Sequence, residues 1–528
     1  MRVFSSWRAW CFGLQVVACA SERDGAGLED ETLSPEAAAA TSAGVRLTLD
    51  AAEARASASA SPSGTASGTP SGTASATALE SPREPAEKQR EASPWPSPER
   101  LDIGFPKPLP GARIYSKSRH LWIRSQPGPG PSDWLGYLSL GDSVRVLGGD
   151  ALKARRGVGD GASCIDWYAV EPRGFVCTGS EGTLDANDPE VVELMRGRAN
   201  SESAWPYRYG ESLGTTVAFS LPGGAGAPGV PPLFSLGLGG RSLTHEIAPR
   251  STVAYTDAFQ HQGQDYLLTW DRGLVKSERV RPYEESPFHG VALGGAYNLP
   301  LAFVKDDGGG DELGRTDDGR FEPLAQKLER LEVLQLTGKT EKNKNELLHE
   351  TTGHTWVRDS QVGIARAATA LPGLIPSARG RKTWLDISII NGTLVAYEGH
   401  TPVYATLISA GRGGLPVPGI APLKTASTPT GLYAVLSKFT TATMVSSTIS
   451  TFVHSEVQYP QNFDGPYSLH AAYWHDRWGQ RKSAGCVNLA PVDARRLFAW
   501  TDPPLPEGWH GTKSGVASDP RTLVAIHR

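Results

Sequence analysis

Short apolar runs separated by turn residues constrain the fold of this 528-residue chain more than any other feature. In the C-terminal part, such runs occupy residues 384–390, 393–398, 403–409 and 432–436. Each run has the length of one strand and is shorter than most helices. Asn391-Gly392 lies between the first two runs, and this dipeptide is typical of a β-hairpin turn. The pattern predicts a mainly β domain over residues 381–528.

The same pattern extends upstream and predicts a multidomain protein. Short runs with Gly and Pro between them lie at 121–127, 140–146, 167–170 and 174–177, so residues 112–185 are predicted to form a small β module. The middle region, residues 186–375, contains further runs and is predicted to include a second small β-barrel near 328–366. One helix is predicted at 491–500, because Pro491 suits a first helical turn and Asp493 follows it.

The first nineteen residues have the composition of an export signal. Arg2 and Arg8 precede an apolar stretch at 9–18, and Val16-Val17-Ala18-Cys19 resembles a bacterial lipobox. In that interpretation Cys19 is lipidated and anchors the protein to a membrane. The alternative is an ordinary secretory signal cleaved near Ala18 or Ala20. Both predict export, so we expect a periplasmic location in the cell envelope, with a lipid anchor in the first case.

Residues 20–100 are dominated by Ala, Ser, Gly, Pro and Thr. Such a segment cannot bury enough apolar surface to offset the entropy of folding, so it is predicted to be a disordered linker. Eighty flexible residues have a root-mean-square reach of roughly 50 Å. A lipid-anchored protein would need that reach to act on a polymer held away from its membrane.

Charge and residue spacing exclude several classes of function. The net charge of −4 and the pI near 6.3 argue against a nucleic-acid partner, which would favour a basic surface. The 12 His are scattered and no paired Cys or His motif occurs, so no metal or other cofactor is predicted. No apolar run reaches the roughly 18 residues of a membrane span.

Chemistry is indicated by His470 and Cys486, sixteen positions apart. A thiol with an ordinary pKa near 8.5 is mostly protonated at neutral pH, so a nucleophilic cysteine needs a base. His470 can take the thiol proton and return it to a leaving amine. The alternative is an inert buried cysteine. His475, eleven residues before the cysteine, is the competing base.

The segment around this pair resembles the signature of YkuD-type L,D-transpeptidases. The signature residues here are His470, Gly479, Ser483, Gly485, Cys486, Val487 and Asn488. The resemblance implies a β-sandwich over residues 381–528. It also shows two departures, since Ala484 and Ala471 stand where many members have His and Gly.

The resemblance implies specific roles for the residues of this site. Cys486 would be the nucleophile and His470 the general base and acid, while the backbone carbonyl of Ala471 would orient the imidazole. Gly485 would supply a backbone amide to the developing oxyanion. Substrate contacts are expected from Ser483, Asn488, Tyr473, Trp474 and Arg477. For Tyr473 and Trp474 simple packing is an equal alternative. For Arg477 a position in a solvated loop is favoured over a substrate contact.

Residues 112–185 resemble a bacterial SH3-type module, which implies either binding to cell-wall peptides or a role as a spacer. Cys164 and Cys177 flank two of its predicted strands, and in an oxidising compartment they can form a disulfide. Cys486 would then be the free thiol of the mature chain, apart from a lipidated Cys19.

Together these resemblances imply an exported enzyme that acts on peptidoglycan stem peptides. It would form 3→3 cross-links through a thioester on Cys486. Within the same fold, the alternatives are an amidase, a carboxypeptidase, or an enzyme that anchors proteins to peptidoglycan. The alternative from another class is a non-catalytic lipoprotein that binds the cell wall.

Overall fold

The computed structural model describes residues 17–18, 111–128, 134–148, 151–153, 164–214, 216–218, 245–261, 264–369, 382–446, 452–514 and 520–528. The predicted signal, with Cys19, lies outside the described residues except for the strand Val17–Ala18, and the predicted linker at 20–100 lies outside them entirely. The mainly β, multidomain fold class is confirmed. Within the described ranges the α-helices are Pro189–Arg196 (α1) and Pro491–Trp500 (α2). None of the described helices is long and apolar enough to cross a membrane.

A six-stranded sheet forms one layer of the C-terminal domain. Its strands, in spatial order, are Val291–Ala292, Thr401–Leu407, Thr393–Glu398, Thr383–Ser388, Leu523–His527 and Gly431–Ala434. The predicted runs at 384–390, 393–398, 403–409 and 432–436 are therefore strands, with bounds shifted by up to two residues. The predicted two-residue hairpin turn is instead a four-residue connection, 389–392, closed by a bond from the Gly392 amide to the Ser388 carbonyl (3.0 Å). The edge strand Val291–Ala292 comes from upstream of the predicted boundary at 381.

A ten-stranded sheet forms the second layer and continues into residues 112–185, which we call the upstream module. Its strands, in spatial order, are Val487–Leu489, Tyr467–Ala471, Gln461–Asp464, Ser437–Phe439, Gly511–Lys513, Trp134–Leu138, Leu121–Arg124, Phe175–Gly179, Cys164–Ala169 and Leu152–Lys153. Gly511–Lys513 pairs with Trp134–Leu138, so residues 112–185 extend the sheet of the C-terminal domain. At this junction Gly136 faces the Gly511 carbonyl so closely that no Cβ would fit.

The core of the C-terminal domain lies between these two layers and α2. Leu385 from the first sheet, Leu469 and Val487 from the second, and Leu497 from α2 belong to one cluster and are 0 % exposed. Full burial of an aliphatic side chain of this size contributes about 1.5–3 kcal/mol. The helix has the predicted bounds, and Pro491 occupies its first turn. The core therefore holds α2 against the two sheets. In the chain, this helix comes directly after the strand that follows Cys486.

The remaining sheets build the upstream part of the chain. The seven-stranded sheet contains Phe321–Leu328, Gly310–Arg315, Trp356–Arg358, Glu346–Thr351, Val333–Asn343, Leu301–Val304 and Val362–Ala365. We call residues 301–365 the middle module; it begins well before the predicted 328. A five-stranded sheet contains Leu274–Lys276, Gln264–Thr269, Thr252–His261, Arg208–Ser212 and Val280–Pro282. Smaller sheets combine Ser143–Arg145 with Arg113–Ser116 and Gly182–Thr183, Thr216–Ala218 with His245–Ile247, and Val17–Ala18 with Thr441–Ser446 and Val453–Gln458.

Short 3₁₀ turns and one disulfide complete the described structure. The turns are Ser277–Arg279, Asp359–Gln361 and Pro422–Thr425. Cys164 and Cys177 form a disulfide across two neighbouring strands of the ten-stranded sheet, with Cα atoms 5.7 Å apart. This pairing leaves Cys486 as a free thiol within the described residues.

Candidate active site

His470 and Cys486 belong to two neighbouring segments of the same sheet. The strands Tyr467–Ala471 and Val487–Leu489 run parallel, and His470 pairs in register with Asn488. Since successive strand residues alternate between faces, Ser468 lies on the same side as His470. Ser468 Oγ is 3.6 Å from Cys486 Sγ. The fold thus brings the predicted base and the predicted nucleophile to one side of one sheet.

The imidazole of His470 is held in one tautomer by its own strand. Nδ1 lies 2.8 Å from the Ala471 carbonyl oxygen. A carbonyl only accepts, so Nδ1 carries the proton and the neutral ring leaves Nε2 as an acceptor. Nε2 is buried and has no hydrogen-bond partner among the residues that the structure describes. The contact predicted for Ala471 is therefore present, and it suits a ring that must accept a proton.

The turn before Cys486 is closed by hydrogen bonds within itself. Ser483 Oγ donates to the Cys486 carbonyl (2.6 Å) and accepts from the Gly485 amide (3.1 Å). The substrate contact of Ser483 and the oxyanion contact of the Gly485 amide stay predictions. In this conformation the Ser483 hydroxyl is used within the turn rather than offered to a substrate, and the Gly485 amide is bonded to it rather than free for an oxyanion.

Gly485 is required by the geometry of that turn. Its φ is +136°, a backbone conformation that other residues rarely adopt, and a Cβ there would lie 2.7 Å from Tyr467 Cε1. Ala484 is partly buried and packs against the core of the C-terminal domain. The turn is therefore shaped by small residues that are closely packed against their neighbours.

Both reacting side chains are closed off from solvent. Cys486 and His470 are each 0 % exposed. Thr428 packs against the backbone of the nucleophile, because its hydroxyl donates to the Cys486 carbonyl (3.5 Å) and accepts from the Gly411 amide (2.8 Å). The Cys486 thiol itself faces the Pro466 carbonyl at 3.8 Å. Because Cys486 is fully buried, a substrate can reach the sulfur only if the surrounding residues move.

The aromatic residues between base and nucleophile are packed inside the protein. The Tyr473 ring stacks on Tyr209 at 4.0 Å, and its hydroxyl bonds to Thr252 Oγ1 (2.5 Å) and the Ser455 carbonyl (2.7 Å). Because its hydrogen-bonding capacity is used, Tyr473 serves packing rather than the expected substrate contact. Trp474 is also buried, and its ring centroid lies 5.9 Å from that of His470. Trp474 therefore lies beside the base, but it is not exposed at the surface of a cleft.

Two further predicted contacts are engaged within the protein. The Arg477 guanidinium pairs with Asp307 of the middle module, and its expected substrate contact stays a prediction. The Asn488 amide nitrogen lies 3.1 Å from His475 Nε2. Its oxygen is buried and has no hydrogen-bond partner within the described ranges. Asn488 thus has a buried polar atom that is available to a substrate.

Sequence reasoning missed Ser468, Thr428 and Asp307. Ser468 carried a usable signal, because it precedes His470 by two positions in a strand and therefore shares its face. Thr428 and Asp307 carried none, since their contacts join segments far apart in the chain. No group of three His, Cys, Asp or Glu suited to a metal ion occurs among the residues for which a structure is given.

Comparison with known families agrees with this geometry for the C-terminal domain. Residues 382–525 match the YkuD family model, described as the L,D-transpeptidase catalytic domain. The predicted family is confirmed for these residues, whereas the SH3-like module remains a prediction. No curated protein sequence matches the chain.

Several solved structures resemble the chain in part. A mutant of the Enterococcus faecium L,D-transpeptidase is 20% identical, with 31% of this chain and 55% of that chain covered and a TM-score of 0.21. An L,D-transpeptidase from Xylanimonas cellulosilytica is 21% identical, with 30% and 65% covered and a TM-score of 0.20. L,D-transpeptidase 3 from Mycobacterium tuberculosis is 17% identical, with 37% and 79% covered and a TM-score of 0.22. The chain spans about half the length of the Enterococcus faecium protein.

Proposed function

We propose that the chain is a peptidoglycan L,D-transpeptidase that works through a thioester on Cys486. The family match over residues 382–525 supports this proposal. The observation that carries the chemistry is the His470 tautomer, because a bond from Nδ1 to the Ala471 carbonyl leaves Nε2 ready to accept a proton beside the strand of the thiol.

The proposed reaction has two acyl-transfer steps. His470 Nε2 removes the proton from Cys486 Sγ, and the thiolate attacks the carbonyl of the third stem residue. The bond to the terminal D-amino acid breaks, and its nitrogen takes the proton from His470. An amine of a second stem then attacks the thioester and gives a proton to His470. The carbon–sulfur bond breaks, the thiol is restored, and a 3→3 cross-link results.

Closure of the site bears on the choice between transfer and hydrolysis. A thioester in a site that excludes water survives until an amine arrives, so burial of Cys486 and His470 favours a transferase over an amidase or a carboxypeptidase. The same burial is also the observation that favours a non-catalytic wall-binding protein. The two candidates differ in whether Cys486 and His470 become accessible when stem peptides bind.

The proposal includes an extracytoplasmic location. The resemblance of residues 16–19 to a lipobox supports export and lipidation of Cys19, and the composition of residues 20–100 supports a long linker between anchor and enzyme. Labelling cells with a radioactive fatty acid and comparing the chain with a Cys19→Ala variant tests the anchor. Equal labelling of both would remove this part of the proposal.

The central test replaces the thiol. Purified protein is incubated with stem-bearing peptidoglycan, and the muropeptides are identified by mass spectrometry. The Cys486→Ser and His470→Gln variants should form at least about 1,000-fold less cross-linked product, because each removes one member of a pair that acts as a unit. His400→Gln, which changes an exposed histidine outside the site, is the matched control and should retain full activity.

The products separate the alternatives. Cross-linked dimers that depend on Cys486 support the transpeptidase, whereas shortened stems alone indicate a carboxypeptidase and cleaved amide bonds without new ones an amidase. Retention of cross-linking by Cys486→Ser would refute the mechanism. Wall binding without any product from the unmodified protein would favour the non-catalytic candidate.

A further inference from the structure

The loop that connects His470 to Cys486 is held by a module outside the catalytic domain. We propose that Asp307 of the middle module is a positioning residue for the acyl-transfer site, an inference that rests on the proposed function. Asp307 does not reach the reacting atoms. It fixes the loop at residues 475–482, and through that loop it places Asn488 beside the base.

One carboxylate gathers several groups of this loop. Asp307 pairs with the Arg477 guanidinium and accepts from Gln480 Nε2 at 2.9 Å. Arg330, also in the middle module, lies 3.5 Å from Asp307 and binds Asp476 with its Nη1 3.2 Å from the carboxylate. Two carboxylates and two guanidinium groups thus alternate across the boundary between the middle module and the loop. An isolated exposed ion pair contributes little, but a network of this kind restrains the segment that it spans.

Close packing confirms that the loop is seated against the module. A Cβ on Gly479 would lie 2.8 Å from Lys305 Cβ of the middle module, so glycine is needed for this approach. On its other side, Gly479 lies so close to Gly392 of the hairpin turn that a Cβ on Gly392 would not fit. The Gly479 amide also donates to the Ile408 carbonyl at 3.0 Å. The loop is therefore enclosed by the module on one side and the six-stranded sheet on the other.

From the loop, hydrogen bonds continue toward the base. The Arg477 amide donates to His475 Nδ1 at 3.2 Å, so in the neutral ring His475 Nε2 carries the proton. Nε2 lies 3.1 Å from the terminal amide of Asn488, which is the register partner of His470. A protonated Nε2 requires an acceptor, so we assign the Asn488 oxygen to this side. Its NH₂ group then occupies the buried position that has no partner among the described residues and is available to a substrate oxygen.

The same bonds define the role of His475. With Nδ1 accepting from the backbone and Nε2 directed at Asn488, both ring nitrogens are used within the protein. His475 therefore orients Asn488 rather than serving as the alternative base. The chain of contacts runs from Asp307 through Arg477 and His475 to Asn488, which explains how a residue of another module affects the site.

The test compares Asp307→Asn with Asp318→Asn in the full chain. Asp318 is the matched control, because it is an exposed carboxylate of the same module that pairs with Arg320 inside its own hairpin. Asp307→Asn should lower kcat about 10-fold and change KM less than about 2-fold, since a misplaced loop affects the reacting geometry more than binding. Asp307→Glu, which keeps the charge, should recover part of the loss, and Asp318→Asn should match the unmodified protein.

Hydrogen exchange of the amides at 475–482 provides a second measurement that needs no activity. Asp307→Asn should accelerate this exchange at least about 5-fold, whereas Asp318→Asn should leave it unchanged. An unchanged kcat in Asp307→Asn would overturn the proposal. If the unmodified protein forms no product, the proposed function fails, and faster exchange would still support anchoring of the loop by Asp307. Unchanged exchange would refute that anchoring as well.

Discussion

At the scale of single residues, the turn before Cys486 depends on a glycine in two separate ways. Gly485 adopts φ +136°, and a Cβ there would lie 2.7 Å from the Tyr467 ring and 3.0 Å from the Ser427 carbonyl. Gly485→Ala should therefore destabilise the fold by about 2–4 kcal/mol, through backbone strain and overpacking together. The free energy of unfolding from urea titration measures this loss.

Gly128 offers a control that separates strain from crowding. Its φ is +141°, close to that of Gly485, but no atom of the described residues lies within 4 Å of a Cβ built there. Gly128→Ala should lower the free energy of unfolding by only about 1 kcal/mol, because the new side chain causes backbone strain but no steric clash. If both variants lost the same free energy of unfolding, the neighbours of Gly485 would have to move aside without any loss of stability.

At the scale of elements, a buried carboxylate attaches α2 to the six-stranded sheet. Asp493 is fully buried and accepts from the Gly290 amide (3.0 Å), the Tyr404 hydroxyl (2.6 Å) and Thr406 Oγ1 (2.5 Å). Burial raises the pKa of Asp493, and these hydrogen bonds oppose that rise. The same residue therefore connects the helix, the strand Thr401–Leu407 and the edge strand that follows Gly290.

Removing this carboxylate should be costly, because three buried donors lose their acceptor. Asp493→Ala is expected to lower the free energy of unfolding by about 3–5 kcal/mol. Tyr404→Phe removes one donor and leaves the carboxylate bonded, so it should cost about 1 kcal/mol. Urea unfolding of both variants measures the ratio of the two losses in unfolding free energy. A loss below that of Tyr404→Phe would mean that Asp493 does not hold these elements together.

At the scale of the whole molecule, the upstream module and the C-terminal domain share a buried histidine. His510 Nδ1 lies 3.0 Å from Asp142 of the upstream module, and Nε2 faces Thr441 Oγ1 at 3.1 Å. Burial lowers the pKa of His510, but the hydrogen bond and charge of Asp142, together with Glu456, outweigh it and raise the pKa. The imidazolium is therefore more favourable in the folded state than in the unfolded chain.

This direction predicts how stability depends on pH. A raised pKa means that the folded state binds the proton more tightly, so the stabilisation is complete below the unfolded value of about 6.5 and is lost as pH rises through the folded value. His510→Gln should therefore cost more stability at pH 6 than at pH 9. Urea unfolding at both pH values measures the difference. His400→Gln, at an exposed position, should show no such dependence, and a loss for His510→Gln that is larger at pH 9 would contradict the prediction.

Local elements were predictable because their signals lie within a few residues. The helix at 491–500 has its predicted bounds, since its starting proline and the acidic residue behind it lie within one short segment. The middle module was harder. Leu301–Val304 is only four residues long, and its partners Val333–Asn343 and Val362–Ala365 come much later in the chain. Nothing near residue 301 signals that pairing, so the predicted module began too late.

The identities of His470 and Cys486 can be read from the linear chain, because nucleophile and base lie close together in it and only a few residue types perform this chemistry. The state of the surrounding groups depends on folding. The Tyr473 hydroxyl is bonded to Thr252, and the Arg477 guanidinium is paired with Asp307, both across long separations in the chain. Periodicity reports backbone geometry over a few residues, whereas hydrogen-bond partners and burial depend on which distant segments pack together. For this reason the reacting pair was accessible to sequence reasoning, and the closed covering over it was not.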